Sequence, residues 1–189
     1  MAELCETRWN NLYDSARIST PRTTSSRTAP PWTASTSPSF SSPLLWSRTS
    51  AGNAHERIVW ADLADAAEEV KACEARVLLL YTGWSRHWNT EVYSTHPFVD
   101  ADAARRLLDL GVKVLGLDTM SPDKVTADEE CADVHHVVLG SGGVIVENLT
   151  GLETLVDGGW KRIVVSLLSL SLAGCDGSPI RAVAWEVGA

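Results

Sequence analysis

The stretch DADAARRLLDLGVKVLGLD, Asp100 to Asp118, reads as a helix followed at once by a buried strand. Asp100 stands where an N-cap carboxylate accepts the first free N–H groups of a helix, and Gly111 stands where a helix ends. Ala, Leu and Arg fill the turns between them. VKVLGL, Val112 to Leu117, is then a nearly continuous apolar run, as expected of a strand covered on both faces. It closes on an acid, Asp118. A helix feeding such a strand is half of a repeating strand–helix–strand unit.

The same alternation appears upstream. WADLADAAEEVKAC, Trp60 to Cys73, places Leu63, Ala67 and Val70 on one helical side, and RVLLLY, Arg76 to Tyr81, is a second continuous apolar run. Downstream, residues near Ala127 to Asp133 suit a short helix, and Gly143 to Val146 suits a strand ending at Glu147. RIVVSLLSLSL, Arg162 to Leu172, reads as a long, partly alternating β segment. After the turn GCDGSP comes a last strand, IRAVAW, Ile180 to Trp185. Strands alternate with helices early and cluster late, which predicts an α/β (α+β) fold with a mixed sheet and flanking helices.

Residues 15–50 have another character. Half of them are Ser or Thr; they include five prolines (Pro21, Pro30, Pro31, Pro38, Pro43) and neither glycine nor histidine. This composition predicts an irregular segment, residues 1–51, before a folded domain, residues 52–189. Trp32, Phe40, Leu44, Leu45 and Trp46 sit oddly in it, since irregular tracts are poor in large apolar groups.

The formal net charge of −8 excludes the basic face that nucleic-acid binding needs. No apolar run reaches the length of a membrane span, and MAELCETRWNNLYD has no secretory-signal pattern. Cys5, Cys73, Cys131 and Cys175 form no C-x-x-C pair, so a reducing cytoplasm is the expected setting.

The chemistry-bearing residues lie in three places. In ADVHHVVLGSGGVIVENL (132–149), His135 precedes a strand that ends in Glu147. An imidazole and a carboxylate at a strand end suit Zn²⁺ or Mn²⁺, although two donors do not make a site. His136 points elsewhere, and GSGG (140–143) reads as a tight turn, since no Lys-Ser/Thr follows it. TGWSRHWN, Thr82 to Asn89, follows a buried strand, where α/β sheets build ligand sites. Its Trp84 and Trp88 suit either stacking on a flat ligand or anchoring in a core. Asp118 holds the usual position of a functional acid; bonding to its own loop, TMSPD, is the plainer expectation.

Together these stretches resemble the cyclase-like metal-dependent hydrolases, the family of bacterial-type kynurenine formamidase and isatin hydrolase. VLLLYTGWSRHW looks like the family's strand-then-TGW segment. HPFVDADAARRLLDLGVKVLGLDTMSPD looks like its HP–helix–strand segment, ending in a G-x-D-x-x-S-x-D-like tail of Gly116, Asp118, Ser121 and Asp123. HHVVLGSGGVIVENL looks like its H-x(11)-E-N-L segment, and GCDGSPIRAVA like its D-G-S-P-x-R-A-x-A ending. The likeness runs in order over residues 76–186. It implies a swivelling β/β/α fold, usually a homodimer, with a divalent metal (Zn or Mn) and hydrolysis of a small aromatic amide. It assigns His135 and Glu147 as metal ligands and places Trp84 in the substrate-pocket segment.

One part of the pattern is absent. Members carry H-x-G-T-H-x-D-x-P-x-H in their first third, which supplies most metal ligands and the catalytic histidine. Here the first histidine is His55. A metal held by one His and one Glu has too few protein ligands for a tight hydrolytic site. RISTPRTTSSRT, Arg17 to Thr28, can be back-translated with chosen codons and read in another frame as H-L-H-A-T-H-D-V-Q-P-H. Residues 15–50 are therefore read as an out-of-frame stretch. The catalytic residues are unassigned. The expected function is a cytoplasmic, kynurenine formamidase-like amide hydrolase. The rival is a non-catalytic binding or dimer-partner protein on the same scaffold.

Overall fold

The computed structural model describes residues 9–11, 17–19, 44–49, 52–126, 132–159, 163–170 and 177–186. In the centre lie four parallel strands in the order β3–β5–β7–β8: β3 (Leu44–Arg48), β5 (Val77–Tyr81), β7 (Val114–Leu117) and β8 (Val144–Glu147). Helices occupy the connections, as parallel pairing demands. They are α1 (Ala64–Cys73), reached through a 3-10 turn at Trp60–Leu63, α2 (Ala101–Asp109) and α3 (Asp133–Gly140).

Antiparallel strands complete the sheet. β2 (Arg17–Ser19) pairs with β8, and β9 (Ile163–Ser169) meets β3. β10 (Gly177–Glu186) pairs with β9 along seven residues, and with β2 and β1 (Trp9–Asn11). The order β10–β2–β8–β7–β5–β3–β9 thus returns to β10, and the hydrogen-bonded ladder closes on itself. A two-residue parallel pair, β4 (Arg57–Ile58) with β6 (Phe98–Val99), stands apart. Another helix, α4 (Leu152–Asp157), follows β8.

The apolar runs read from sequence are buried on both faces. Val77 and Leu79 join Val114, Val146, Leu149, Val165, Leu167, Ala182 and Ala184 on the side of β9 and β10. Leu78 and Leu80 join Leu115, Leu117 and Ile145 against α1, α2 and α3, through Leu63, Val70, Leu107, Val134 and Val138. Asp100 caps α2 as expected, accepting from the N–H groups of Asp102 and Ala103.

The expected boundary at residue 51 does not coincide with the edge of the sheet. β1, β2 and β3 lie before it, and β3 sits between β5 and β9. Composition alone hid β3, because a strand needs only a short apolar run and LLW supplies it. Residues 20–43, the bulk of the Ser/Thr/Pro tract, lie outside the described residues, as does most of the helix expected near Ala127 to Asp133.

Gly116 lies where β5 and β7 meet the segment after β8. A Cβ there would fall 2.5 Å from Leu79 Cδ2 and 3.0 Å from Leu149 Cδ1, both in the core. Gly116→Ala is expected to lower stability by about 1–3 kcal/mol through overpacking. A urea midpoint equal to that of the parent would refute the close approach.

Candidate functional site

The C-terminal ends of β5, β7 and β8 lie side by side, so Thr82, Asp118 and Glu147 emerge on one edge of the parallel sheet. The C-terminal ends of parallel strands are where α/β sheets, open or closed, place their ligand-binding loops.

Asp118 is fully buried. Its Oδ1 accepts from the Thr82 backbone N–H at 2.9 Å and the Thr82 hydroxyl at 2.7 Å; its Oδ2 lies 3.5 Å from the Ser85 N–H. It therefore ties the TGW loop to β7 rather than bonding within its own loop, TMSPD. Burial pushes its carboxyl up, and the bonds from Thr82 pull the other way.

Trp84 is only 3% exposed, and its indole N–H donates to the Tyr93 carbonyl at 3.0 Å. It packs as an anchor of the loop, with His87 tilted beside it at 4.6 Å. Of the two sequence readings, this is the placement of a core residue. Trp88, by contrast, is exposed and meets Tyr93 edge-on. The Tyr93 hydroxyl donates to Asn148 Oδ1 at 2.8 Å. Asn148, directly after Glu147, holds the left-handed conformation (φ 58°) and is braced by its own N–H to the Thr119 carbonyl.

His135 and Glu147 come together. His135 Nε2 lies 3.4 Å from Glu147 Oε1, and the Glu147 side chain is buried. His136 is exposed on the same helix and takes no part. The turn GSGG leads from α3 into β8, with Gly142 at φ +72°.

A third residue completes the arrangement. Buried Asp123 accepts from the Val134 N–H at 2.7 Å and the His135 N–H at 3.1 Å, and it lies 2.6 Å from His135 Nδ1. It thus caps α3 from a distance and fixes the His135 ring, with Nδ1–H toward Asp123 and Nε2 toward Glu147. A carboxylate that holds the far nitrogen of a ligand histidine sets its tautomer and basicity. Sequence reading had Asp123 only as part of a motif tail. Its spacing of twelve residues from His135 carries no local signal.

The imidazole lies between two carboxylates. The bond to Asp123, and then that to Glu147, raise its pKa from 6.5 to about 9, against the opposing effect of burial. A base whose pKa rises on folding binds its proton more tightly in the folded state. Its contribution is complete below pH 6.5 and is lost as the pH rises through about 9. In the metal-free chain, the His135 ring signals are expected to titrate near pH 9 by NMR, and thermal stability should fall across that window. A midpoint near 6.5 would show that the carboxylates do not hold the ring.

The donors are half of what a metal centre needs. Nε2 of His135 and the Glu147 carboxylate converge, but a hydrolytic zinc site uses three protein ligands and an open position. Among the described residues no group of three or more His, Cys, Asp or Glu could hold a metal ion. The described residues therefore do not fit a complete centre.

Comparison with known proteins gives a consistent picture. The Cyclase family model matches residues 17–124, more than half of the chain, and ends before His135. The kynurenine formamidase of Bordetella avium is 36% identical over 102 residues, covering 54% of this chain and 44% of that protein. That of Delftia acidovorans is 35% identical over 127 residues, covering 67% of this chain and 54% of that protein. The chain thus spans about half the length of the curated relatives it matches. Among solved structures, isatin hydrolase A of Labrenzia aggregata superposes with a TM-score of 0.68 at 15% identity, covering 100% of this chain and 86% of its own. A protein of Bacillus stearothermophilus described as a "predicted metal-dependent hydrolase" gives 0.65 at 19% identity, covering 96% and 87%. These two likenesses speak for the fold, the α/β cyclase architecture expected from the sequence.

Proposed function

Because the chain belongs to the Cyclase family, we propose that the intact protein hydrolyses an amide of a small aromatic molecule, and that this chain carries only the late half of the centre. The observation that carries the reading is the convergence of His135 Nε2 on Glu147 beside a fixed Asp123. In this proposal His135 and Glu147 hold part of a divalent ion, Zn²⁺ or Mn²⁺. When bound with a full ligand set, such an ion supplies an activated water and a polarised carbonyl. Trp84, buried under the TGW loop, would shape the pocket from behind rather than touch the substrate.

The missing donors have a candidate location. Backbone pairing sets Arg17 opposite Glu147 and Ile18 opposite Val146. The string that reads H-L-H-A-T-H-D-V-Q-P-H in another frame begins at these positions. Early histidines restored there would start beside the late ligand, which supports reading residues 15–50 as out of frame. The names of the relatives, kynurenine formamidase and isatin hydrolase, support an aromatic N-formyl amide or a fused lactam as substrate. A cytoplasmic homodimer is the assembly the resemblance implies. Among the described residues no helix is long and apolar enough to cross a membrane.

The test is metal content and formamidase activity, measured on this chain and on a version with the early reading frame restored.

A further inference from the structure

His96 lies between the loop holding Tyr93 and the short strand β6. Its residue has no solvent exposure. Nδ1 is 2.8 Å from the carbonyl of Pro97, a contact that only an Nδ1–H can satisfy, so Nε2 carries a bare lone pair. Among the described residues that Nε2 is the one buried side-chain nitrogen or oxygen with no hydrogen-bond partner. The charged groups that act on the ring are the carboxylates of Glu147 and Asp123 and the imidazole of His55. Burial lowers its pKa and keeps the ring neutral. The surrounding chain is tightly held: the His55 N–H bonds the Thr95 carbonyl at 2.7 Å, and the Val99 N–H bonds the Pro122 carbonyl at 2.8 Å, next to Asp123. The backbone around His96 is thus held, and the ring itself is tied by Nδ1–H to the Pro97 carbonyl.

Buried acceptors without a donor are rare in folded proteins, and each one calls for an occupant. A donor suited to this place gives one hydrogen to the neutral lone pair and keeps a second for an anionic oxygen, the kind of charge that acts on the ring from Glu147 and Asp123. A water molecule does so, giving one O–H to each, and it needs two to four polar partners to stay. A cation would be repelled by neither, but Nε2 of His96 belongs to no group that could hold a metal. We propose that His96 Nε2 is one wall of a buried water site. The water donates to Nε2 and to the Glu147 or Asp123 carboxylate, which makes His96 a positioning residue for the acid pair. This site is present in the metal-free chain and does not depend on the activity proposed above.

The sign of a stability change separates the possibilities. If Nε2 were truly empty, an apolar replacement would be neutral or stabilising, because it removes an unpaired buried group. If a water links it to a carboxylate, His96→Leu expels the water and strips that carboxylate of a donor. The expected result is a fall in Tm of about 5 °C for His96→Leu. His96→Gln, whose amide oxygen can stand where Nε2 stood, should recover most of the loss. Because Leu could also fail by poor fit, a second measurement is made on the unaltered chain. An NMR water–protein cross-relaxation experiment should show a long-lived water beside the His96 ring, and ¹⁵N shifts should report a protonated Nδ1 with a hydrogen-bonded Nε2. The proposal is overturned if His96→Leu is as stable as the parent, if no long-lived water is seen, or if a donor from elsewhere in the chain occupies Nε2.

Discussion

Replacing Asp123 by alanine is expected to cost about 3–5 kcal/mol, among the largest losses any single change in this chain should produce. One buried carboxylate does three things at once: it accepts from Val134 N–H, from His135 N–H and from His135 Nδ1. Ala132, the residue at the N-cap position of α3, provides no side-chain bond of its own. Without Asp123 the first turn of α3 has two unmet N–H groups in a nearly dry place, and His135 loses its stronger partner. The urea midpoint should drop, and hydrogen exchange at Val134 and His135 should quicken before that in α2. Asp123→Asn separates stability from ligand chemistry. Its carbonyl oxygen can still cap the helix, but its amide offers N–H to His135 Nδ1. The ring would then take the other tautomer and point Nε2–H at Glu147, where it cannot bind a metal. Its stability should lie between those of Asp123→Ala and the parent, while affinity for a divalent ion falls about 10–100-fold. A stability loss within about 0.5 kcal/mol for Asp123→Ala, the range of an ordinary surface change, would show that Asp123 does not organise α3.

This residue also shows where the sequence stops being readable. α2 is legible because its start and end signals are local: Asp100 bonds residues two and three places on, and Gly111 follows directly. α3 is not. His and Val are indifferent helix formers, the cap comes from Asp123 across a loop, and the one start signal in DVHHVVLG is the acid Asp133 in its first turn. The reading accordingly stopped a helix near Asp133, where the structure begins one. α4, six residues capped by Gly151, is too short to show a period. The buried strands β5 and β7 were readable for the opposite reason, since unbroken apolar runs survive any tertiary context.

The site divides in the same way. The pairing of His135 with Glu147 was reachable only through the likeness of a motif, because residues twelve apart share no helix turn or strand face. Asp118 stood out by its place at a strand end, yet its partners, Thr82 and Ser85, belong to a neighbouring strand's loop and are set by sheet order. His96 gave no signal, since its distinction is burial without a partner. β2 and β3 were obscured by composition: a Ser/Thr/Pro tract outweighs strands of three and five residues in any window wide enough to average over it.

Restoring the alternative frame across codons 15–50 is expected to turn a chain with no measurable formamidase activity into one that exceeds it by several orders of magnitude. The two versions share His135, Glu147, Asp123 and strands β5 and β7 to β10, and differ in the early segment that carries β2 and β3, so any difference comes from that segment. A centre with two convergent protein donors binds a divalent ion weakly, whereas added early donors complete the coordination number that fixes geometry and open position. Metal content after dialysis should therefore be well below stoichiometric for the present chain and stoichiometric for the restored one. Loading with Zn²⁺ and Mn²⁺ separately shows which ion supports turnover, tested on an N-formyl aromatic amine and on a fused aromatic lactam. In the restored version, His135→Ala or Glu147→Ala should remove metal and activity together. The position of β2 makes the outcome informative in both directions. Its backbone pairs Arg17 with Glu147, so histidines placed there start in register with the acid or the pairing itself is wrong. If sequencing of gene and transcript shows a single uninterrupted frame, and the restored chain takes up no more metal than this one, the out-of-frame proposal fails. The chain would then be a family member that keeps the scaffold and the Asp123–His135–Glu147 line without the reaction, the non-catalytic binding protein that was the rival reading of its sequence.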